Sequence, residues 1–261
     1  MEKSLKLSVI FIEVKMFSIL YYPFLILLSL FFMVLSALAL LLCAPFDRRR
    51  RAVHELSRAI SQTFFSLPPC WKVIKQGIEQ IDPKQRYVIV LNHQSMVDIP
   101  MLYWAPLNFR WVAKRELIKA PIFGEYIWMH GDILIDRGSA ATAAAKVLHD
   151  GQKWLNRGVS VAIFPEGTRS KDGTIHRFKS GAFNLAKEAG VPILPVVLDG
   201  TRTAFKPNGL LQFRHTFTIR VLKPIPTEEV KEKEIKSLME ETFERMVEAK
   251  REITGTREQK R

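Results

Sequence analysis

The chain has 261 residues, 48% of them hydrophobic, and carries 39 Lys and Arg against 26 Asp and Glu, a formal net charge of +13. That length holds one sizeable domain plus an attachment, and the composition excludes a disordered or collagen-like chain. The positive excess selects an anionic partner (nucleic acid, membrane lipid or a phosphorylated substrate), while two cysteines, Cys43 and Cys70, offer no metal-ligand spacing and no disulfide framework.

From Met16 to Phe46 no charged residue occurs. As one helix this run is roughly 46 Å long at ~1.5 Å per residue, against a hydrocarbon core of about 30 Å. A secretory signal has a shorter apolar region and a small-residue cleavage site, so the run reads as a retained membrane segment. It either tilts as one helix or breaks near Pro23 into a helical hairpin. Arg48 to Arg51 follow at once and favour the cytoplasmic side, where they meet anionic headgroups. Lys3, Lys6 and Lys15 place charge at the other end too, which leaves the topology open. Next, Val53, Leu56, Ile60, Phe64 and Leu67 recur at the spacing of an amphipathic helix, ended by Pro68-Pro69. It lies in the membrane interface or packs on the globular domain.

Beyond Trp71, short apolar runs alternate with helical stretches. Strands are expected at residues 87–91, 109–113, 159–164, 193–198 and 213–222. Ser139 caps a helix running to about Asn156, and Gly181 to Ala189 forms a shorter one before Gly190. This alternation predicts an α/β domain with a mainly buried mixed sheet flanked by helices. In FRHTFTIRVL, Phe213, His215, Phe217, Ile219 and Val221 share one face, which predicts a half-exposed edge strand with a structural His215. From Thr227 the chain is charged, with Ile235, Leu238, Phe243, Met246 and Ile253 at helical spacing, a docking helix that frays from Gly255.

Four segments carry chemistry. In LNHQSMVDIP, residues 91 to 100, His93 follows a buried strand, where α/β sheets present ligand-binding groups. Five residues rotate about 500° on a helix, so His93 and Asp98 meet only across a turn, with Pro100 favouring a first helical turn near Asp98. A carboxylate there fixes the imidazole tautomer and prepares the other nitrogen to take a proton. GDILIDR, residues 131 to 137, supplies Arg137. FPEGTRS, residues 164 to 170, offers flexible Gly167, the hydroxyl of Thr168 and the guanidinium of Arg169, an anion pocket in outline. Glu166 beside them accepts from a substrate hydroxyl or pairs with Arg169. FKSG, residues 178 to 181, adds Lys179. Taken singly, each of these residues is a cap, a turn or a solvated charge.

In this order NHQSMVD, GDILIDR, FPEGTRS and VPILPV, the last with Pro192 and Pro195, resemble the four motifs of the glycerolipid acyltransferases, in particular the 1-acyl-glycerol-3-phosphate acyltransferases. The resemblance covers about residues 87–197, and the apolar N-terminus and length suit the bacterial members. It implies His93 as general base and Asp98 as its partner, with Arg137 and Arg169 on the substrate phosphate. Glu166, Gly167 and Thr168 carry over as the acyl-acceptor pocket, and Lys114 in VAKREL as a lysine near the same cleft, with Arg115 adjacent and the role of Asp136 open. The implied organisation is a membrane anchor with basic flank over residues 1–50, an amphipathic connecting helix over 51–70, a catalytic domain over 71–226 and a charged helix with frayed tail over 227–261.

The implied reaction transfers an acyl chain from acyl-CoA or acyl-carrier protein to the sn-2 hydroxyl of lysophosphatidic acid, giving phosphatidic acid at a membrane. A thioester has a good leaving group, so no serine or cysteine nucleophile is demanded, and none stands in a Gly-x-Ser-x-Gly elbow. No cofactor, metal or nucleic acid is expected, and the implied location is the bacterial cytoplasmic membrane with the domain on the cytoplasmic side. Rival expectations are transfer to another lysophospholipid or a lyso-ornithine lipid, and a non-catalytic, membrane-tethered anion-binding module.

Overall fold

One helix, α1 (Glu2–Cys43), takes up the whole apolar segment and runs straight through Pro23, so no hairpin forms. The computed structural model describes the backbone of residues 2–136, 138–212 and 214–258 and the side chains of 16–136, 138–212 and 214–256. The side chains of Lys3, Lys6 and Lys15 therefore lie outside the described residues. Met16–Cys43 has a mean hydropathy of 2.9, long and apolar enough to cross a membrane. Yet one stripe of α1 is laid against the rest of the chain. Ser18, Tyr21 and Ser36 are buried, while Leu20, Leu27, Phe31, Leu41 and Leu42 point outward and exposed. Tyr21 Oη donates to Phe64 O (2.8 Å), Leu211 N donates to Ser18 Oγ (3.2 Å) and Tyr126 Oη donates to Ser29 O (2.9 Å).

Helix α2 (Arg51–Ser66) packs between α1 and the globular domain. Its buried residues are Val53, His54, Ser57, Ser61 and Phe65, one position off much of the apolar stripe, which is left half-buried. Phe65 meets Phe217 at 4.8 Å between ring centroids and also Trp71, a burial worth about 1.5–3 kcal/mol. The guanidinium of Arg58 donates to Ala105 O (2.9 Å) and Leu107 O (3.0 Å), which fixes the helix to the domain.

The remaining elements are β1 (Trp71–Gln76), β2 (Val88–Leu91), α3 (Asp98–Met101), β3 (Phe109–Lys114), α4 (Phe123–His130), β4 (Ile133–Ile135), α5 (Ala140–Asn156), β5 (Ser160–Ile163), α6 (Gly181–Ala189), β6 (Ile193–Asp199), β7 (His215–Val221), α7 (Thr227–Glu232) and α8 (Ile235–Glu258). The strands form one mixed sheet in the order β1-β7-β6-β2-β5-β3-β4, in which only β6 and β7 run antiparallel. β2 lies in the middle and is buried on both sides, so its run is continuously apolar. Ile89 and Leu91 join the core under α1 and α2, whereas Val88 and Val90 join the core under α5, α6 and α8.

Three expectations are corrected. β7 is not an edge strand, because β1 pairs outside it in parallel. On its polar face Arg220 Nη1 reaches Glu252 Oε2 of α8 at 2.6 Å. Phe213, expected on the opposite face, lies outside the described residues. β1 and β4 were not expected as strands. Finally, the C-terminal segment is two helices, and α8 continues past Gly255 to Glu258. The expected cap holds: Thr142 N donates to Ser139 Oγ (3.4 Å) at the start of α5.

Candidate active site

His93 emerges two residues after β2, at the carboxyl end of the central strand. Its Nδ1 donates to Asp98 Oδ2 at 2.8 Å. Asp98 opens α3, and its carboxylate turns back across the intervening turn to accept also from Gln94 N (2.6 Å) and Ser95 N (2.7 Å). The side chain of Asp98 is fully buried, so three donors converge on a carboxylate sheltered from water. With Nδ1–H held there, Nε2 presents its lone pair, the tautomer a general base needs. Phe164 stacks on the imidazole at 3.9 Å between centroids and Trp111 stacks on Phe164 at 4.9 Å, so the ring cannot tip out of plane.

The two neighbours of His93 are clamped on β6. Asn92 Nδ2 donates to Leu198 O (3.0 Å), Leu198 N donates to Asn92 Oδ1 (2.7 Å), and Gln94 Nε2 donates to Leu198 O (2.8 Å). On the other side, His93 N donates to Glu166 Oε1 (2.8 Å) and His176 N donates to Glu166 Oε2 (2.9 Å). Burial pushes the Glu166 carboxyl above its usual value, against the pull of those two amides. Glu166 is thus a staple between the His93 loop and the loop after β5.

A cavity of about 570 Å³ opens at His93, with Lys114, Gly167, Lys179 and Ser139 among its polar walls and Ile135, Ala143, Ala144 and Val147 among its apolar ones. Lys114 faces the cavity and also pairs with Glu116. Arg115 turns to Asp136 instead, at 2.9 and 2.8 Å from its two oxygens, which gives Asp136 a partner. Gly167 adopts φ +74°, and a Cβ there would meet Lys179 Nζ at 2.8 Å, so the lysine packs directly over the glycine. Thr168 and Arg169 follow Gly167 as exposed residues and are not among the cavity walls, and neither is Glu166. Arg137 lies outside the described residues. The structure thus unites His93, Lys114, Gly167 and Lys179 at one cavity, with Asp98 behind His93. It adds Asn92, Gln94, Phe164 and Trp111, for which only the neighbourhood of the NHQSMVD and FPEGTRS stretches gave a signal.

An imidazole beside a cavity with two lysines and apolar walls suits an amphiphile carrying a hydroxyl and an anionic group. A family model described as Acyltransferase matches residues 72–199, from β1 to the end of β6. The 1-acyl-sn-glycerol-3-phosphate acyltransferase alpha of Ovis aries is 35% identical over 184 residues, which is 70% of this chain and 64% of that protein. The matched stretch is an acyltransferase-family domain. The human alpha enzyme is also 35% identical over 184 residues, 65% of its length, and the 1-acyl-sn-glycerol-3-phosphate acyltransferase of Cocos nucifera is 33% identical over 156 residues. The chain therefore spans somewhat less than two thirds of the curated relatives it matches first. The crystal structure of the 1-acyl-sn-glycerophosphate acyltransferase PlsC from Thermotoga maritima superposes with a TM-score of 0.75, covering 92% of this chain and 98% of that one at 23% identity, and so shares the fold. In this chain the matched stretch contains His93, Asp98 and both cavity lysines but neither α1 nor α8.

Proposed function

We propose that this protein moves an acyl chain from acyl-CoA or acyl-carrier protein to the sn-2 hydroxyl of 1-acyl-glycerol-3-phosphate, giving phosphatidic acid. The observation that carries the proposal is the His93–Asp98 pair at the mouth of a cavity with Lys114 and Lys179 in its walls. His93 Nε2 takes the proton of the acceptor hydroxyl as its oxygen attacks the thioester carbonyl. Asp98 stabilises the imidazolium that forms, and the proton passes to the departing thiolate. Lys114 and Lys179 take the acceptor phosphate as point charges, and Arg169, exposed at the end of the same loop, joins them from outside the walls. Arg137 completes the proposed phosphate set. The outward face of α1 rests in the leaflet that holds both lipids, with the domain on the cytoplasmic side.

The test is transfer by membranes containing the full chain, with lysophosphatidic acid against other lysolipids and each donor in turn. His93→Ala is expected to abolish transfer while the protein stays folded and attached. Undiminished turnover by that variant would remove the base from the mechanism, and faster transfer to a headgroup-bearing lysolipid would reassign the acceptor.

A further inference from the structure

Among the described residues outside α1 and the loop after it, the large apolar side chains left exposed are Ile74, Met96, Ile118, Phe123 and Trp128. Three of these fall on α4 and the turn that leads into it, and Trp128, at 62% exposure, is the most open. The turn itself is strained. Ile122, a β-branched residue, has φ +67° and ψ −48°, closed by Phe123 N donating to Pro121 O at 2.7 Å. Gly124 holds it shut, since a Cβ at that position would lie 2.0 Å from Ile118 O. A strained turn that turns Phe123 outward makes poor sense for a surface meeting water.

The middle and the C-terminal half of α4 are tied to α1 and its exit. Tyr126 Oη bonds Ser29 O on α1, and Arg50 Nη1 donates to Trp128 O (2.8 Å) and Met129 O (2.9 Å). α4 therefore lies against α1, and Phe123 shares a cavity wall with Leu25 and Ser29 of that helix. A second cavity, of about 370 Å³, opens in the same place, between Leu25 and Ser29 of α1, Ile60 and Phe64 of α2, and Ile122 and Phe123. The charge around the patch is mainly positive. Arg48 and Arg51, exposed, flank the Arg50 that is bonded to α4, and Lys119, exposed, precedes the turn, against Glu125 on α4 and Glu116, which pairs with Lys114.

We infer that α4 and its leading turn form a second lipid-contacting surface on the catalytic domain itself, with Phe123 among acyl chains and Trp128 at the level of anionic headgroups beside Arg48 and Arg51. Indole rings prefer that level, and arginines there gain from anionic lipid. The inference rests on the membrane reading of α1 but not on the acyl-transfer reaction.

The test uses the full chain reconstituted in vesicles of phosphatidylcholine and phosphatidylglycerol, some carrying doxyl labels at shallow or deep acyl positions. The fluorescence difference between wild type and Trp128→Phe isolates the Trp128 indole. It is expected to be quenched more by the shallow label than by the deep one and to lose most of its accessibility to aqueous acrylamide. Phe123→Trp in the Trp128→Phe background is expected to favour the deep label. If the protein floats with the vesicles but either indole is quenched by acrylamide and untouched by both lipid labels, the surface assignment is overturned and α1 alone holds the protein. If the protein does not float with vesicles, the membrane reading falls and this inference falls with it. Neither outcome requires a substrate, so both are separable from a failure of acyl transfer.

Discussion

Both oxygens of Glu166 accept from backbone amides, His93 N and His176 N, so Glu166 holds two loops in register. Glu166→Gln leaves one acceptor oxygen and turns an NH₂ group toward the second amide, two donors facing each other. We expect a stability loss of about 1–3 kcal/mol, visible as a lower thermal midpoint. Because Glu166 is not a cavity wall, kcat should fall while the KM for the acceptor changes little. A variant that raised KM alone would return Glu166 to the substrate. At this scale the sequence was informative about His93 and Asp98, whose five-residue spacing forces a turn. It offered Glu166 a substrate hydroxyl or Arg169 and could not reveal its backbone partner at His93, which lies 73 positions away. It also could not separate Lys114 from Arg115. Only the pairing of Arg115 with Asp136 distinguishes them.

Between elements, the joint of α2 with β3 and α4 is a buried polar cluster that no sequence pattern announced. His54 Nε2 faces Leu107 O (2.7 Å), His130 Nδ1 faces Asp132 Oδ1 (2.6 Å), and the two remaining ring nitrogens stand 3.0 Å apart. Burial holds both histidines below their usual value, for His54 with help from the charges of His130, Arg110 and Arg58, and for His130 against the pull of Asp132. A depressed histidine contributes stability that is present above its unfolded value of 6.5 and is lost as pH falls through the folded value. The thermal midpoint should therefore drop progressively below pH 6.5. In His54→Phe, which keeps a ring but takes no proton, the drop should be shallower, and an unchanged slope would show that other groups set it. Periodicity located α2, α5 and α6 because each buries one stripe. It missed β1, where Lys72 and Lys75 interrupt a short run, and β4, which is three residues long. It misplaced β7 because the strand that pairs outside it, β1, was itself missed.

Over the whole molecule, the C-terminal helix reaches the catalytic strand end although it lies beyond the stretch that matches the family. Lys250 Nζ is 2.5 Å from Asp199 Oδ1 and 3.3 Å from Leu198 O, the carbonyl that clamps Asn92 and Gln94. Both side chains of this pair are largely buried, so Lys250→Met removes a charged partner of Asp199 and should lower stability by about 1–3 kcal/mol in denaturant unfolding. Adding Asp199→Asn should recover part of that loss. Full additivity of the two substitutions would mean that the pair does not act as a unit. The α/β order could be read from alternating runs, but this long-range tie could not, because a lysine in a charged helix carries no mark of its partner. The same holds for α1. Its length and apolarity spoke of a tether, whereas Tyr21 in the core, the Tyr126 bond to Ser29, and Leu25 in a cavity wall make it part of the domain's own framework. A shortened version cut at the first arginine to gain solubility would lose the outer wall of that cavity along with the tether, and would stand as a different, opened protein rather than as the enzyme set free.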